Sequence, residues 1–301
     1  MSSSLLTNNA AMTALMALNQ TQSNLAKYEN QVSTGLRISS AADNSSYWSI
    51  ATSMSSQVGA LGSVSNGLSE SSSMLSQMSA ALNSTISIMN NIKNDLITAE
   101  NPGTDLSKIQ TDIAAQQGQL ISIGNSATFN NQNFLATTGG TVKLIASYDA
   151  TNGVSFISIN TSNTALFGTN LAVGSTANIS GGAGILDKNG TNYSSASVLS
   201  LNVSAATLGD LQNMLKDIEA GLTSIETAAS TIGATQTNIT AQQTFVSNLS
   251  NSLSSGVGSL IDADMNQAST KISALQVQQQ LGVQALSIAN SNTQMILRLF
   301  Q

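Results

Sequence analysis

The side chains that most often carry out chemistry in proteins, histidine and cysteine, are both absent from this chain of 301 residues. Their absence excludes thiolate nucleophiles, Cys/His zinc sites and imidazole general bases. Carboxylates remain, and we interpret acidic residues such as Asp210, Asp217, Asp262 and Asp264 as helix-end or surface charges. The sequence therefore predicts no catalytic residue, no metal site and no cofactor, and the chain is not expected to be an enzyme.

The charge and hydropathy of the chain argue against two kinds of partner, nucleic acid and the membrane interior. Only 8% of the residues are charged and the net charge is −6, so the chain lacks the basic patch of a nucleic-acid binder. No apolar run approaches the length that crosses a bilayer, which predicts no membrane insertion. Residues 1–6 show neither the basic nor the apolar region of a cleaved secretory signal. We therefore expect any export to use another route.

The main structural signal is a repeat of apolar residues at alternating spacings of three and four, which is typical of a helix with a continuous apolar seam. The first seam runs over residues 11–36 and includes Leu15, Leu18, Leu25, Val32 and Leu36. A second seam repeats every seven residues over 54–96. Pro102 ends this helix, and an apolar face over 106–123 predicts the second arm of a helical hairpin.

The centre of the chain carries a different pattern. Apolar residues between Val142 and Ile157 flank Asn152-Gly153, a turn sequence that accepts positive φ, and this predicts a β-hairpin. Over residues 161–206 the periodicity disappears and Gly, Ser, Thr and Asn dominate. That segment is expected to be a loop region with a few short strands.

The helical seam resumes over residues 208–257, is expected to break near Gly256 and Gly258, and then continues to the C-terminus. Its last section contains Ile261, Met265, Ile272, Leu275, Leu286, Ile296 and Phe300. Long helices at both ends can pair only if the chain folds back at its centre. The predicted fold class is mainly α, with long coiled-coil-like helices from both termini folded back on each other and a β-hairpin and small β/loop region in the middle.

Periodicity alone fits an ordinary helical bundle or coiled coil. The terminal helices, however, carry one-sided apolar faces with little flanking charge, which a lone helix end cannot hide from water. Such ends favour self-association, and a contact whose rotation does not close produces an open helical fibre. We therefore predict that the terminal rows, Leu15 to Leu36 and Ile261 to Phe300, form a polymerisation interface.

Two motifs at opposite ends resemble signatures of one family. Residues 32–38, Val-Ser-Thr-Gly-Leu-Arg-Ile, followed by Ala41-Ala42-Asp43-Asn44, resemble the N-terminal signature of bacterial flagellins. Residues 261–265, Ile-Asp-Ala-Asp-Met, followed by Ala274-Leu275-Gln276, resemble the C-terminal one. The resemblance covers roughly residues 1–136 and 208–301. Residues 47–51, Tyr-Trp-Ser-Ile-Ala, are similar to the short flagellins of α-proteobacteria.

The resemblance implies a division of the chain into five parts. Residues 1–40 and 258–301 are expected to form an inner helical tube. Residues 41–160 and 207–257 are expected to form an outer core domain, and residues 161–206 a variable surface region. These boundaries follow the family pattern and the changes in periodicity.

The N-terminal signature is expected to contain a turn, marked by Gly35, Leu36, Arg37, Ala41 and Asp43. Gly35 most simply allows a positive φ or a close helix approach. Arg37 is either a solvated charge after the turn or a structural cation that pairs with an acid such as Asp43. Given the family match, we favour the ion pair.

The function that the resemblance implies is a structural subunit that polymerises into the bacterial flagellar filament for swimming motility. The alternative is the hook–filament junction protein, which shares both terminal signatures. Flagellins are secreted through the flagellar type III export apparatus and become extracellular parts of the flagellum. The implied partners are further copies of the chain, hook-associated proteins, the filament cap and an export chaperone.

One stretch bears on immune recognition. Asn91, Lys93 and Asp95 correspond to the region through which a flagellin engages the flagellin-sensing Toll-like receptor. Asn91 stands where the family pattern has Arg, and Lys93 holds the other basic position. Neither side chain can make the bidentate pairing of Arg with a receptor carboxylate, so weak receptor activation is expected.

Overall fold

The computed structural model describes residues 8–137, 139–168, 184–193 and 196–299, with the backbone alone for 292–299. Its helices are α1 (Asn9–Thr34), α2 (Ser45–Ala99), α3 (Leu106–Ser126), α4 (Leu208–Ile261) and α5 (Met265–Leu299). Strands β1 (Thr141–Asp149) and β2 (Gly153–Asn160) lie between α3 and α4. The mainly helical fold with a central hairpin is confirmed. No helix in the described part is long and apolar enough to cross a membrane.

The chain divides into two compact units, and α2 and α4 each contribute to both. One unit, here called the terminal unit, comprises Met1–Gly59 and Ser250–Gln301. The other, the central unit, comprises Ala60–Leu249. The five-part division expected from the sequence stays a prediction.

Two antiparallel helical segments, from α2 and α4, build the central unit. The Gln236 amide donates to the Ser76 hydroxyl at 2.8 Å, and the Lys93 ammonium lies 3.0 Å from the Glu219 carboxylate. Each helix buries an apolar side chain every seven residues: Leu61, Leu68, Leu75, Leu82, Met89 and Leu96 on α2, and Leu211, Ile218, Ile225, Ile232, Ile239 and Val246 on α4. Since each fully buried side chain contributes about 1.5–3 kcal/mol, these two rows stabilise the central unit substantially.

Helix α3 packs in the same unit and connects its helices to an irregular segment. Asp105 caps its N-terminus by accepting from the Ser107 amide, and Ile113 and Leu120 are fully buried. The Gln117 amide donates to the carbonyls of Val198 and Leu201 at 2.9 and 3.0 Å. The segment that follows the hairpin is thereby held against the helices by hydrogen bonds.

The described residues from 161 to 206 are irregular, as predicted for a loop region. They form two 3₁₀ turns, Thr161–Asn163 and Val198–Ser200, and isolated bridges, and no strand lies among them. Residues 169–183 and 194–195 lie outside the described part. Apolar side chains from the described part are buried all the same: Leu166, Phe167, Leu186, Leu199, Leu201 and Val203.

The predicted β-hairpin is present. Strands β1 and β2 pair antiparallel, with Leu144 opposite Ile157 and an irregularity between Ile145 and Ser147. Gly153 has φ 77°, a value that glycine adopts without strain. In the turn, the Asp149 carboxylate accepts from the Thr151 and Asn152 amides, and these hydrogen bonds lower the pKa of Asp149.

The expected break near Gly256 and Gly258 is wrong, because α4 continues through both glycines to Ile261. A helix tolerates an interior glycine at a cost of about 1 kcal/mol. Gly256 has a packing role, since a Cβ atom there would lie 2.7 Å from the ε-methyl of Met54. The chain instead breaks at Asp262–Asp264, where Asp264 accepts from the amides of Asn266 and Gln267 and caps α5.

Candidate self-assembly surface

Helices α1 and α5 pair with each other in the terminal unit, as their apolar seams predict. The side-chain amide of Asn8 donates to the Ala289 carbonyl at 3.0 Å. A Cβ atom on Gly282 would lie 3.3 Å from Cδ1 of Leu18, so the missing side chain permits a close approach. These contacts make the pair antiparallel and place the beginning of α1 beside the later part of α5.

The predicted interface residues fall into groups by exposure. Leu275 is buried, whereas Leu15 and Met265 are exposed. Half-buried positions are Leu18, Leu25, Val32, Leu36, Ile261, Ile272 and Leu286. The side chains of Ile296 and Phe300 lie outside the described part. The predicted interface residues therefore include some that bury one another between α1 and α5.

A second set of apolar side chains in the pair points to water. Its members are Met12, Leu15 and Met16 on α1 and Met265, Val277, Leu281, Val283 and Ile288 on α5, and all are exposed. We call this set the outer row. Helix α1 has no fully buried residue at all. Sequence reasoning selected only Leu15 and Met265 from this row, because it followed one seam where the helices carry apolar residues on a wider face.

The signature turn joins the two ends of the terminal unit. Gly35 caps α1 with φ 72° and nothing lies within 4 Å of where a Cβ atom would be, so the positive φ is the reason for glycine. The Arg37 and Ile38 amides both donate to the Ile261 carbonyl, at 2.6 and 3.3 Å, and Ala263 donates to the Gly35 carbonyl at 2.9 Å. These bonds satisfy the Ile261 carbonyl at the end of α4, which has no partner within the helix, and the Gly35 carbonyl just after α1.

The favoured ion pair between Arg37 and Asp43 is wrong. The Arg37 guanidinium donates through Nη2 to the Leu260 carbonyl at 2.7 Å, where a cation also offsets the negative end of the α4 dipole. Among the described residues the ion pairs are Lys93–Glu219 and Lys108–Asp105.

Asp43 instead forms hydrogen bonds within its own turn. Its carboxylate accepts from the Ser40 and Ser39 amides at 3.0 and 3.1 Å and from both hydroxyls. The Ser40 and Ser39 amides, in that order, lower the pKa of Asp43 most. Ala41 lies exposed between these residues. Local donors were available to Asp43 without ordering a long side chain, which explains why Arg37 is not its partner.

Of the acidic residues interpreted as helix-end or surface charges, Asp217 has a different role. It lies within α4, and its carboxylate accepts from the amides of Thr191, Asn192 and Tyr193 at 3.1, 3.0 and 2.7 Å. Partial burial acts to raise the pKa of Asp217, but these hydrogen bonds outweigh it and the pKa is lowered. Asp210 does serve a helix end, since it and Thr207 hydrogen-bond to each other at the start of α4.

The stretch compared with the immune-receptor site is engaged within the central unit. Lys93 pairs with Glu219 on α4, and Asp95 accepts from the Gln116 amide of α3 at 2.8 Å. Asn91 is exposed. Two of the three side chains therefore already have partners inside the subunit.

The described residues contain no group of three or more His, Cys, Asp or Glu side chains that could hold a metal ion. A cleft of about 450 Å³ is lined by the loop around Lys188 and Tyr193 and by α4 near Asp217. Because the Asp217 carboxylate is occupied by loop amides, it is a structural anchor there.

Comparison with known proteins gives matches at both ends of the chain. Residues 5–139 match the bacterial flagellin N-terminal helical region, and residues 215–300 match the bacterial flagellin C-terminal helical region. Flagellin C of Rhizobium meliloti (strain 1021) is 36% identical over an alignment 318 residues long that covers 99% of each chain. Flagellin of Brucella melitensis biotype 1 is 37% identical over 308 residues, again 99% of each. Flagellin A of Rhizobium meliloti is 30% identical, covering 99% of this chain and 100% of that protein.

Proposed function

Since the chain belongs to the bacterial flagellin family and is thus a structural subunit of the flagellar filament, we propose that the α1–α5 pair is the element through which its copies polymerise. The observation that carries this proposal is the outer row, eight large apolar side chains exposed on a pair of helices. The similarity to whole flagellins of Rhizobium and Brucella favours the filament subunit over the hook–filament junction protein.

The α1–α5 pair leaves part of its apolar surface unburied. Two helices cannot cover all the apolar surface of one another, and a pair of this kind is marginal in water because most helical stability comes from packing. If neighbouring copies buried each half-exposed side chain of the outer row for about 1 kcal/mol, the gross gain per subunit would be roughly 5–10 kcal/mol. That gain is comparable with the roughly 4–15 kcal/mol that association costs in lost freedom, so burial of the outer row would offset a large part of that cost.

The low charge of the terminal helices supports the same role. Residues 1–26 carry no charged side chain, and α5 has only Lys271 and Arg298. Copies of a chain with net charge −6 repel one another, so a contact surface between copies is favoured where charge is absent. The predicted interface residues that are half-buried, Leu18, Leu25 and Ile272 among them, would then hold the pair together while the outer row contacts neighbours.

Because the chain belongs to the flagellin family, we also propose partners other than its own copies. We propose export through the flagellar type III apparatus with the help of a chaperone, addition beneath the filament cap, and contact with hook-associated proteins at the filament base. The chain would thus act outside the cell as part of the flagellum. The proposal includes no enzymatic step, cofactor, nucleic acid or membrane insertion.

Deletion of α5, residues 265–301, tests the proposal. The shortened chain should remain a helical monomer under conditions in which the full chain sediments as filaments, because α1 loses its partner and more than half of the outer row is removed. Sedimentation and electron microscopy of both chains give the result. Filaments of normal diameter from the shortened chain would show that the helix pair is not the polymerisation element.

A further inference from the structure

The described methionine side chains differ in exposure between the two units. Met12, Met16 and Met265, all in the terminal unit, are 56%, 63% and 44% exposed. Met54, also in that unit, is half-buried. The methionines of the central unit are buried: Met74, Met78, Met89 and Met214. Small reagents dissolved in water therefore reach the three exposed side chains, whereas packing shields those of the central unit.

Oxidation is the chemistry that this exposure permits. The sequence contains no cysteine, so methionine thioethers are the sulfur groups that an oxidant can attack. A peroxide such as hydrogen peroxide transfers one oxygen atom to the sulfur. The O–O bond breaks, an S–O bond forms, the sulfur loses two electrons and the peroxide is reduced to water. The product, methionine sulfoxide, is a polar side chain in place of an apolar one.

The three exposed methionines all belong to the outer row, which the proposed function places between copies of the chain. Met12 and Met16 are four positions apart, so they lie on one side of α1. Met265 is the first residue of α5. When the apolar side chains of a neighbour cover a sulfoxide oxygen, that oxygen loses its hydrogen bonds to water, which costs free energy. Oxidation therefore turns positions that favour contact between copies into positions that oppose it.

We propose that Met12, Met16 and Met265 are oxidation sites at which a peroxide converts the subunit into a form that polymerises poorly, and that reduction of the sulfoxides restores polymerisation. The inference rests on the filament function proposed above. It adds that the free subunit is the form sensitive to oxidants, because neighbouring copies cover the same side chains in the filament.

Peptide mass spectrometry of the full chain after brief treatment with hydrogen peroxide tests the assignment of the sites. In the monomer, the three sites should be oxidised several-fold faster than Met78 and Met214. In preformed filaments, their oxidation should be several-fold slower than in the monomer. Equal rates at exposed and buried methionines of the folded monomer would overturn the assignment. Equal rates in monomer and filament would overturn it too, while leaving the filament function intact.

The critical concentration for polymerisation tests the consequence of oxidation. Peroxide treatment of the monomer should raise it about tenfold or more, which corresponds to about 1.4 kcal/mol. Repair by methionine sulfoxide reductases, one for each sulfoxide epimer, should return it to the starting value. The thiol reductant that these enzymes require has no disulfide to reduce in a chain without cysteine. This experiment needs no substitution, so it does not depend on the folding of a variant.

A variant separates the three sites from the other methionines. The triple substitution Met12→Leu, Met16→Leu and Met265→Leu keeps side chains of similar volume without the sulfur. Its critical concentration is compared before and after peroxide, so that any effect of the substitutions themselves cancels. The triple variant should respond little to peroxide, whereas the control Met78→Leu, at a side chain only 3% exposed, should respond as the unmodified chain does.

Two results would refute the oxidation proposal: a full peroxide response in the triple variant, or an oxidised chain whose critical concentration is unchanged. A chain that forms no filaments even before oxidation would instead refute the filament function.

Discussion

Two glycines of α3 allow a sharp test of how the central unit is packed. Gly124 is buried, and a Cβ atom there would lie 2.7 Å from Cζ of Phe167 and closer still to the ring's Cε2. Gly118 lies on the same helix with nothing within 4 Å of its would-be Cβ atom. The same substitution, glycine to alanine, should therefore have opposite effects on stability at the two positions.

The magnitude of each effect follows from its surroundings. Gly118→Ala should stabilise the helix by about 0.5–1 kcal/mol, the usual difference in helix propensity. At Gly124 the clash can be relieved by displacing the Phe167 ring, which is fully buried. The cost is then bounded by the loss of that ring from the core, about 3–5 kcal/mol, and we expect Gly124→Ala to destabilise by about 2–4 kcal/mol.

Thermal unfolding of the monomer, followed by circular dichroism, measures both effects. For a unit of this size 1 kcal/mol corresponds to about 2–4 °C, so Gly124→Ala should lower the melting temperature of the central unit by roughly 5–15 °C while Gly118→Ala raises it slightly. In a Phe167→Ala background the Gly124→Ala cost should disappear, since the clashing ring is gone. A neutral Gly124→Ala, or an equal cost in both backgrounds, would refute the packing argument.

The remaining predictions concern pH and immune recognition. Because the folded-state pKa of Asp217 is lowered from its ordinary value of 3.8, its stabilising effect is present above about pH 4 and is lost as the pH falls through the lowered value. Asp217→Asn should therefore weaken the unit at pH 7 and reduce the loss of stability on acidification, as measured by urea unfolding at pH 7 and pH 3; identical acid sensitivity in both proteins would contradict this role. In a reporter-cell assay with the flagellin-sensing Toll-like receptor we expect weak or no activation, because Asn91 replaces Arg and Lys93 is paired with Glu219. Strong signalling at low protein concentration would count against that expectation.

The long helices could be predicted from sequence because their burial follows a fixed period. Leu68, Leu75 and Leu82 repeat every seven residues, and the structure buries all three. The hairpin was predictable for a similar reason, since Asn152-Gly153 is a local turn signal. In both cases the residues that determine the structure are near one another in the chain.

The part of the core that comes from the irregular segment after the hairpin could not be predicted in this way. Phe167 and Leu186 are buried without any helical or strand period around them, and the partner of Phe167 is a glycine more than forty positions earlier. Contacts of this kind depend on how distant segments meet. Composition predicts a loop for such a segment, although its apolar residues belong to the core.

The candidate site shows both outcomes. The pairing of the terminal helices and the positive φ of Gly35 were predictable from spacing and residue type. The partner of Arg37 was not, because an acid nearby in sequence suggested an ion pair whereas the end of α4 supplied carbonyl acceptors from more than 220 positions away. The residue types at a helix end do not indicate which distant donor its backbone carbonyl groups will accept.

One pair of full-length variants tests most directly whether exposed apolar residues of the α1–α5 pair join copies of the chain, as we propose. Leu281→Lys and Leu208→Lys make the same substitution at side chains of 57% and 56% exposure, in the outer row and at the start of α4 respectively. Both monomers should fold normally, because each lysine lies in water. In sedimentation and electron microscopy under polymerising conditions, Leu281→Lys should fail to form filaments, since burying an unpaired charge between copies is costly, while Leu208→Lys assembles as the unmodified chain does. Normal filaments from Leu281→Lys would contradict the account.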